Sequence, residues 1–124
     1  MPKRILIVED EEANIDVLLN ILQLMLNQTQ VYIARDGHEG IKFAYEYSPE
    51  LILMDLSLPK LDGWEVTRSL KSNPRFLQVP ILALTAHAMV GDRDRAIQAG
   101  CDDYFAKPIE VDEFIQFMRP YLTV

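Results

Sequence analysis

Leu51-Ile52-Leu53-Met54-Asp55 is the stretch that decides the fold. Four apolar residues stand in a row and end in a carboxylate. A strand with one wet face would alternate apolar and polar residues. An unbroken run marks a strand buried on both faces, as in a parallel sheet. Similar runs recur at Ile5–Val8 and Ile81–Leu84, with Val31–Ala34 and the weaker Tyr104–Ala106 beside them. The segments between the runs are long enough for crossover helices. This alternation predicts an α/β domain with a doubly wound, five-stranded parallel sheet and helices on both faces. Five strand–helix units use up the 124 residues, so residues 1–124 are expected to form one domain with no output domain attached.

The boundaries carry their own signals. Asp36 followed three residues later by Glu39 reads as a helix N-cap with its partner. Asp62 before Gly63-Trp64-Glu65 is a similar start, and Gly100 stands where a left-handed helix end is expected. Pro49, Pro74, Pro80 and Pro108 fall between elements, where a missing N–H costs little. On the first helix, Ile15, Leu18, Leu19, Leu22, Met25 and Leu26 share one face, the expected core stripe. Val17, Ile21 and Leu24 lie off it, which reads either as a partner-binding surface or as scattered exposed apolars. Val111, Phe114, Ile115 and Met118 form the expected core stripe of the last helix, with Phe117 off it.

Composition narrows the function. Apolar residues make up 49% and charged residues 25%, which excludes disordered and fibrous classes. A net charge of −7 repels phosphate backbones and anionic lipid, so nucleic-acid and membrane binding are not expected. One cysteine, Cys101, permits no internal disulfide and fits a reducing compartment. No apolar run approaches a membrane span, and the expected setting is the cytoplasm.

In an open parallel sheet, ligands bind beyond the carboxyl ends of the strands, where strand order reverses. Glu9, Asp10, Glu11 and Glu12 follow the first strand, Asp55 ends the third, Thr85 the fourth, and Lys107-Pro108 follows the fifth. If the first and third strands are neighbours, Glu9, Asp10 and Asp55 converge, and a hard divalent cation would relieve their repulsion. Mg²⁺ suits such an oxygen set, with Mn²⁺ as a substitute. A carboxylate at the mouth of a strand serves as metal ligand, nucleophile or both. As a nucleophile it suits phosphoryl transfer, which rests on positioning and charge neutralisation. Lys107 and Thr85 would then meet the phosphoryl oxygens.

With these residues in hand, the chain resembles the receiver domain of bacterial two-component response regulators across its whole length. The resemblance rests on Ile7-Val8-Glu9-Asp10-Glu11, Leu53-Met54-Asp55-Leu56-Ser57-Leu58-Pro59, Asp62-Gly63, Leu84-Thr85-Ala86 and Lys107-Pro108, in this order and at these separations. It implies the flavodoxin-like strand order 2-1-3-4-5. It implies that Asp55 accepts a phosphoryl group from a phosphohistidine on a histidine kinase or histidine phosphotransfer protein. Asp10 and Asp55 would bind Mg²⁺ through side chains, Ser57 through its backbone carbonyl, and Glu9 through water. Thr85 and Lys107 would contact the phosphoryl group, Thr85 and Tyr104 would be the switch pair, and the Lys107-Pro108 bond would be cis. Glu9 departs from the Asp frequent at its position. The implied protein is a monomer or weak dimer, not a classical enzyme, whose downstream protein target is unknown. The segments around Thr85-Ala86-His87-Ala88-Met89 and Gly100-Cys101-Asp102-Asp103-Tyr104 look more like single-domain cell-cycle regulators and hybrid-kinase receivers than chemotaxis proteins.

Other functions fit less well. An aspartyl-phosphate phosphatase needs a second Asp two residues past the nucleophile, where this chain has Ser57. A flavin carrier of the same strand order needs a Ser/Thr/Gly-rich phosphate loop, where Glu9 to Glu12 would repel the phosphate. A receiver-shaped interaction module without phosphorylation is the remaining alternative.

Overall fold

A computed structural model describes residues 4–26, 28–58, 61–86 and 92–122, with Asp92 described by its backbone alone. Pro59 and His87 lie outside the described residues. The strands are β1 (Arg4–Val8), β2 (Gln30–Ala34), β3 (Leu51–Asp55), β4 (Ile81–Thr85) and β5 (Asp103–Ala106). The helices are α1 (Glu12–Met25), α2 (Gly37–Tyr47), α3 (Gly63–Lys71), α4 (Asp92–Ala99) and α5 (Val111–Leu122), with a 3₁₀ turn at Pro74–Phe76. All strand pairs are parallel, in the order β2-β1-β3-β4-β5.

The continuous apolar runs have a simple cause: successive side chains of a strand point to opposite faces. Ile5, Ile7, Leu51, Leu53, Leu82 and Leu84 join one layer with Leu18, Ile21 and Leu22 of α1 and Phe114, Met118 and Leu122 of α5. Leu6, Val8, Ile52, Met54, Ile81 and Ala83 join the other, with Ala44 of α2, Val66 and Leu70 of α3 and Ala96 of α4. Both faces are covered, so β3 and β4 are buried at every position. The edge strands β2 and β5 are mostly half-buried, which explains their weaker sequence signal.

The expected caps are present. Asp36 accepts from the Glu39 N–H at 2.8 Å, and Glu39 accepts from the Arg35 N–H at 2.9 Å. Asp62 accepts from the Glu65 N–H at 2.9 Å. Gly100 sits at φ +111°, a backbone state that residues with a Cβ rarely adopt. Lys71 was not singled out by sequence, yet its partly buried ammonium donates to the carbonyls of Phe76 and Val79 at 3.2 and 2.7 Å. It also pairs with Asp102 at 3.3 Å, tying α3 to the approach of β4.

The helix wheels need correction. The buried arc of α1 is broader than a single-sheet stripe, because α5 packs beside α1 as well as the sheet beneath it. Ile21 is therefore fully buried and Val17 packs at the edge of the same cluster, while Leu19 and Met25 are only partly buried. Of the expected partner stripe, only Leu24 stands exposed, at 77%. On α5, Val111 is exposed rather than in the core. Phe117 is half-buried, with ring centroids 5.1 Å from Phe105 and 5.9 Å from Phe114. The β5 aromatic supplies the neighbour that a helix wheel cannot show.

Candidate functional site

The strand order reverses between β1 and β3, so the residues leaving these strands face one another. Glu9 follows β1 and is fully buried; Asp10 beside it is exposed. Asp55 closes β3 at 2% exposure and Thr85 closes β4 at 4%. One carboxylate oxygen from each of Glu9, Asp10 and Asp55 lies within 4.8 Å of the others, so the expected convergence is realised.

Lys107 enters from the end of β5. Its Nζ lies 2.8 Å from Glu9 Oε1 and 3.4 Å from Asp55 Oδ2. Glu9 Oε2 accepts from the backbone N–H groups of Asp10 and Glu11 at 3.1 and 3.2 Å. Asp55 Oδ1 accepts from the Ser57 N–H at 3.0 Å. Both oxygens of both buried carboxylates are thus engaged, as buried charges require. The Lys107-Pro108 peptide bond is cis.

Burial pushes the Glu9 carboxyl up to about 7, and Asp55 adds to the rise, against the lowering effect of Lys107. Burial alone would lower Lys107. The Glu9 hydrogen bond and the charges of Asp55 and Glu9 outweigh it and hold the ammonium above its ordinary value. The pocket therefore lets Glu9 take up or release a proton near neutral pH while keeping Lys107 charged. Its three carboxylates offer only hard oxygen donors, which fits Mg²⁺ or Mn²⁺ and argues against a thiolate- or imidazole-seeking metal.

The contact between Glu9 and Lys107 was not foreseen from sequence, which put Lys107 on a phosphoryl group and Glu9 on the metal. The one signal available was Glu9 itself, a methylene longer than Asp. Gly63 explains the Asp62-Gly63 pair. A Cβ there would come 2.3 Å from the Asp55 carbonyl oxygen and 2.7 Å from Leu56 Cα, so the start of α3 rests directly on the backbone that carries Asp55. Tyr104 is half-buried on β5 and packs against the α2/α3/α4 layer. Of the first-helix candidates, none belongs to this pocket. Trp64, on the first turn of α3, is half-buried beneath the guanidinium of Arg95.

Similarities to known proteins bear on this geometry. A family model described as the response regulator receiver domain matches residues 5–119. A polar-differentiation response regulator, DivK, of Brucella anthropi is 41% identical over 122 residues, covering 98% of this chain and 98% of that protein. The crystal structure of the Mn²⁺-bound form of response regulator Rcp1 matches with a TM-score of 0.85 at 30% identity, covering 99% of this chain and 97% of that one. The receiver domain of a sensor histidine kinase from Pseudomonas aeruginosa PAO1, solved with a magnesium ion coordinated in its active-site cleft, matches with a TM-score of 0.84 at 36% identity and 98% coverage of both chains.

Proposed function

From the premise that this chain belongs to the response regulator receiver domain family, we propose that it is a phosphorylation switch of a two-component system with Asp55 as phosphoacceptor. The observation that carries this reading is the placement of Asp55. Its carboxylate is buried at the mouth of β3, 3.4 Å from the Lys107 ammonium and beside Glu9 and Asp10.

A phosphohistidine of a histidine kinase or phosphotransfer protein donates the phosphoryl group. An Asp55 oxygen attacks phosphorus, the O–P bond forms, the N–P bond breaks, and the histidine nitrogen keeps the electron pair. Asp10, Asp55 and the Ser57 carbonyl would hold Mg²⁺, with Glu9 acting through water, and the ion would neutralise charge on the phosphoryl oxygens. Lys107 stabilises the same charge from its own side as a compact cation. The Ser57 N–H, which donates to Asp55 Oδ1, orients the carboxylate for attack. Thr85 moves toward the phosphoryl group and donates to one of its oxygens, which lets Tyr104 rotate inward.

The switched surface is read by another protein, or the phosphoryl group is relayed onward. We place the protein in the cytoplasm as a monomer or weak dimer. No helix among the described residues is long and apolar enough to cross a membrane. The phosphatase reading lacks its second acid, since Ser57 is exposed and carries no carboxylate. The experiment is intact mass after incubation with Mg²⁺ and acetyl phosphate. The proposal expects a metal-dependent gain of about 80 Da, one phosphoryl group, that is absent in Asp55→Asn. An equal gain in Asp55→Asn would overturn it.

A further inference from the structure

Membership of the acidic cluster does not explain how Glu9 is held. Its backbone N–H donates to the Ala34 carbonyl of β2 at 2.9 Å, so the base of the side chain is fixed. Its Oε2 accepts from the N–H groups of Asp10 and Glu11 at 3.1 and 3.2 Å, so the head is fixed as well. That leaves Oε1, which faces the Lys107 ammonium at 2.8 Å. The carboxylate is fully buried, where an ion pair holds more firmly than it would in water.

Lys107 is held at both ends too. Its backbone N–H donates to the Thr85 carbonyl at the end of β4 at 2.7 Å. Its ammonium stands 2.8 Å from Glu9 and 3.4 Å from Asp55 Oδ2, so the cation leans away from the nucleophile. A largely buried ammonium does not stay unpaired. Without the Glu9 charge, the carboxylate it already adjoins is Asp55, and a tight pair there would engage the oxygen lone pairs that attack phosphorus. With that charge in place, the ammonium waits beside the nucleophile. It is ready for the phosphoryl oxygens and need not reorganise during attack.

We propose that Glu9 is a positioning residue for Lys107: the buried carboxylate beyond β1 holds the ammonium off Asp55 and presents it to the incoming phosphoryl group. This role rests on the phosphoacceptor reading and deepens it. Glu9 Oε1 keeps a second lone pair, so the role adds to the water-mediated metal contact.

The test uses the full chain at pH 8, in two arms. In the first, intact mass follows phosphorylation by acetyl phosphate at rising Mg²⁺ in wild type, Glu9→Gln and Glu9→Asp. Gln keeps the length and loses the charge, whereas Asp keeps the charge and loses a methylene. The expected result is a maximal rate lowered about ten-fold in Glu9→Gln, the worth of one charge-assisted contact. Further Mg²⁺ does not restore that rate, and Glu9→Asp largely recovers it. A Glu9→Gln rate that saturating Mg²⁺ returns to the wild-type value would overturn the proposal, by leaving Glu9 a role on the metal alone. Glu9→Asp slower than Glu9→Gln would overturn it too, by making side-chain length rather than charge the cause. In the second arm, urea unfolding in EDTA compares Lys107→Met with Glu9→Gln/Lys107→Met, with no phosphoryl chemistry involved. Lys107→Met strands the buried Glu9 charge, so adding Glu9→Gln should raise the unfolding midpoint. A double variant that unfolds earlier than Lys107→Met would overturn the pairing. A wild type that gains no phosphoryl group would refute the phosphoacceptor reading, and this role with it, while a raised midpoint in the second arm would leave the ion pair standing.

Discussion

Replacing Asp55 by Asn should stabilise the metal-free protein, and the size of the effect follows from the pocket. With an effective dielectric near 20, Glu9 within 4.8 Å repels the Asp55 carboxylate by about 3.5 kcal/mol when both are ionised. Exposed Asp10 is screened by water and adds about 1 kcal/mol. Lys107 at 3.4 Å returns about 5 kcal/mol of attraction. These terms nearly cancel, leaving the desolvation of a buried carboxylate, which runs to several kcal/mol and which a neutral amide largely avoids. Asn keeps the carbonyl oxygen that accepts from the Ser57 N–H. The net expectation is a gain of about 2 kcal/mol for Asp55→Asn in EDTA at pH 8, or roughly 6 °C in melting temperature.

The effect depends on pH through Glu9. Its carboxyl is raised from 4.5 to about 7, so the fold favours the protonated form. That contribution is fully present below pH 4.5 and is lost as pH rises through 7. Wild-type stability without metal should therefore fall between pH 5 and 8. The fall should be smaller in Asp55→Asn, because Asp55 is one cause of the Glu9 shift. The gain from Asn should shrink toward pH 5.5, where Glu9 is protonated and no longer repels Asp55. Saturating Mg²⁺ should stabilise the wild type more than the variant. The assay is thermal unfolding in EDTA and in Mg²⁺ at both pH values. An Asn variant no more stable than wild type at pH 8 in EDTA would refute the electrostatic reasoning.

The corrected α1 surface gives a paired test by urea unfolding: Ile21→Ala should lose about 2–5 kcal/mol, whereas Leu24→Glu should stay within about 0.5 kcal/mol. Gly63→Ala should lose about 1–3 kcal/mol, because its Cβ meets backbone atoms of Asp55 and Leu56 that cannot swing aside; the same denaturation series checks this. Burial pushes the Cys101 thiol from 9.0 up to about 11, so alkylation of the native protein at pH 8 should be slow and should speed up on unfolding. The Cys101 contribution to stability should hold below pH 9 and disappear as pH rises through 11.

The sheet was legible because burial on both faces erases alternation, and Leu51–Met54 and Ile81–Leu84 carry that mark directly. The caps at Asp36 and Asp62 were legible because they are local. The acidic convergence followed from topology: once β1 and β3 are neighbours, Glu9, Asp10 and Asp55 must approach one another. What escaped the sequence depends on third parties. Ile21 looked peripheral because a wheel knows nothing of α5, and Phe117 looked exposed because Phe105 is remote in sequence. The Glu9 and Lys107 contact joins residues 98 positions apart and turns on one methylene of side-chain length. The Arg95 and Trp64 stack likewise joins two helices that no local pattern pairs.

The central claim, that Asp55 within this pocket is the phosphoacceptor, is tested most directly by locating the modified residue. The protein is incubated with acetyl phosphate, with Mg²⁺ or with EDTA, reduced with borohydride to convert any acyl phosphate to an alcohol, digested and mapped by peptide mass. The account predicts reduction at Asp55 alone, dependent on Mg²⁺ and abolished in Lys107→Met or strongly slowed. Reduction at Asp10 or Glu9 instead of Asp55, or reduction at Asp55 that proceeds equally in EDTA, would contradict it.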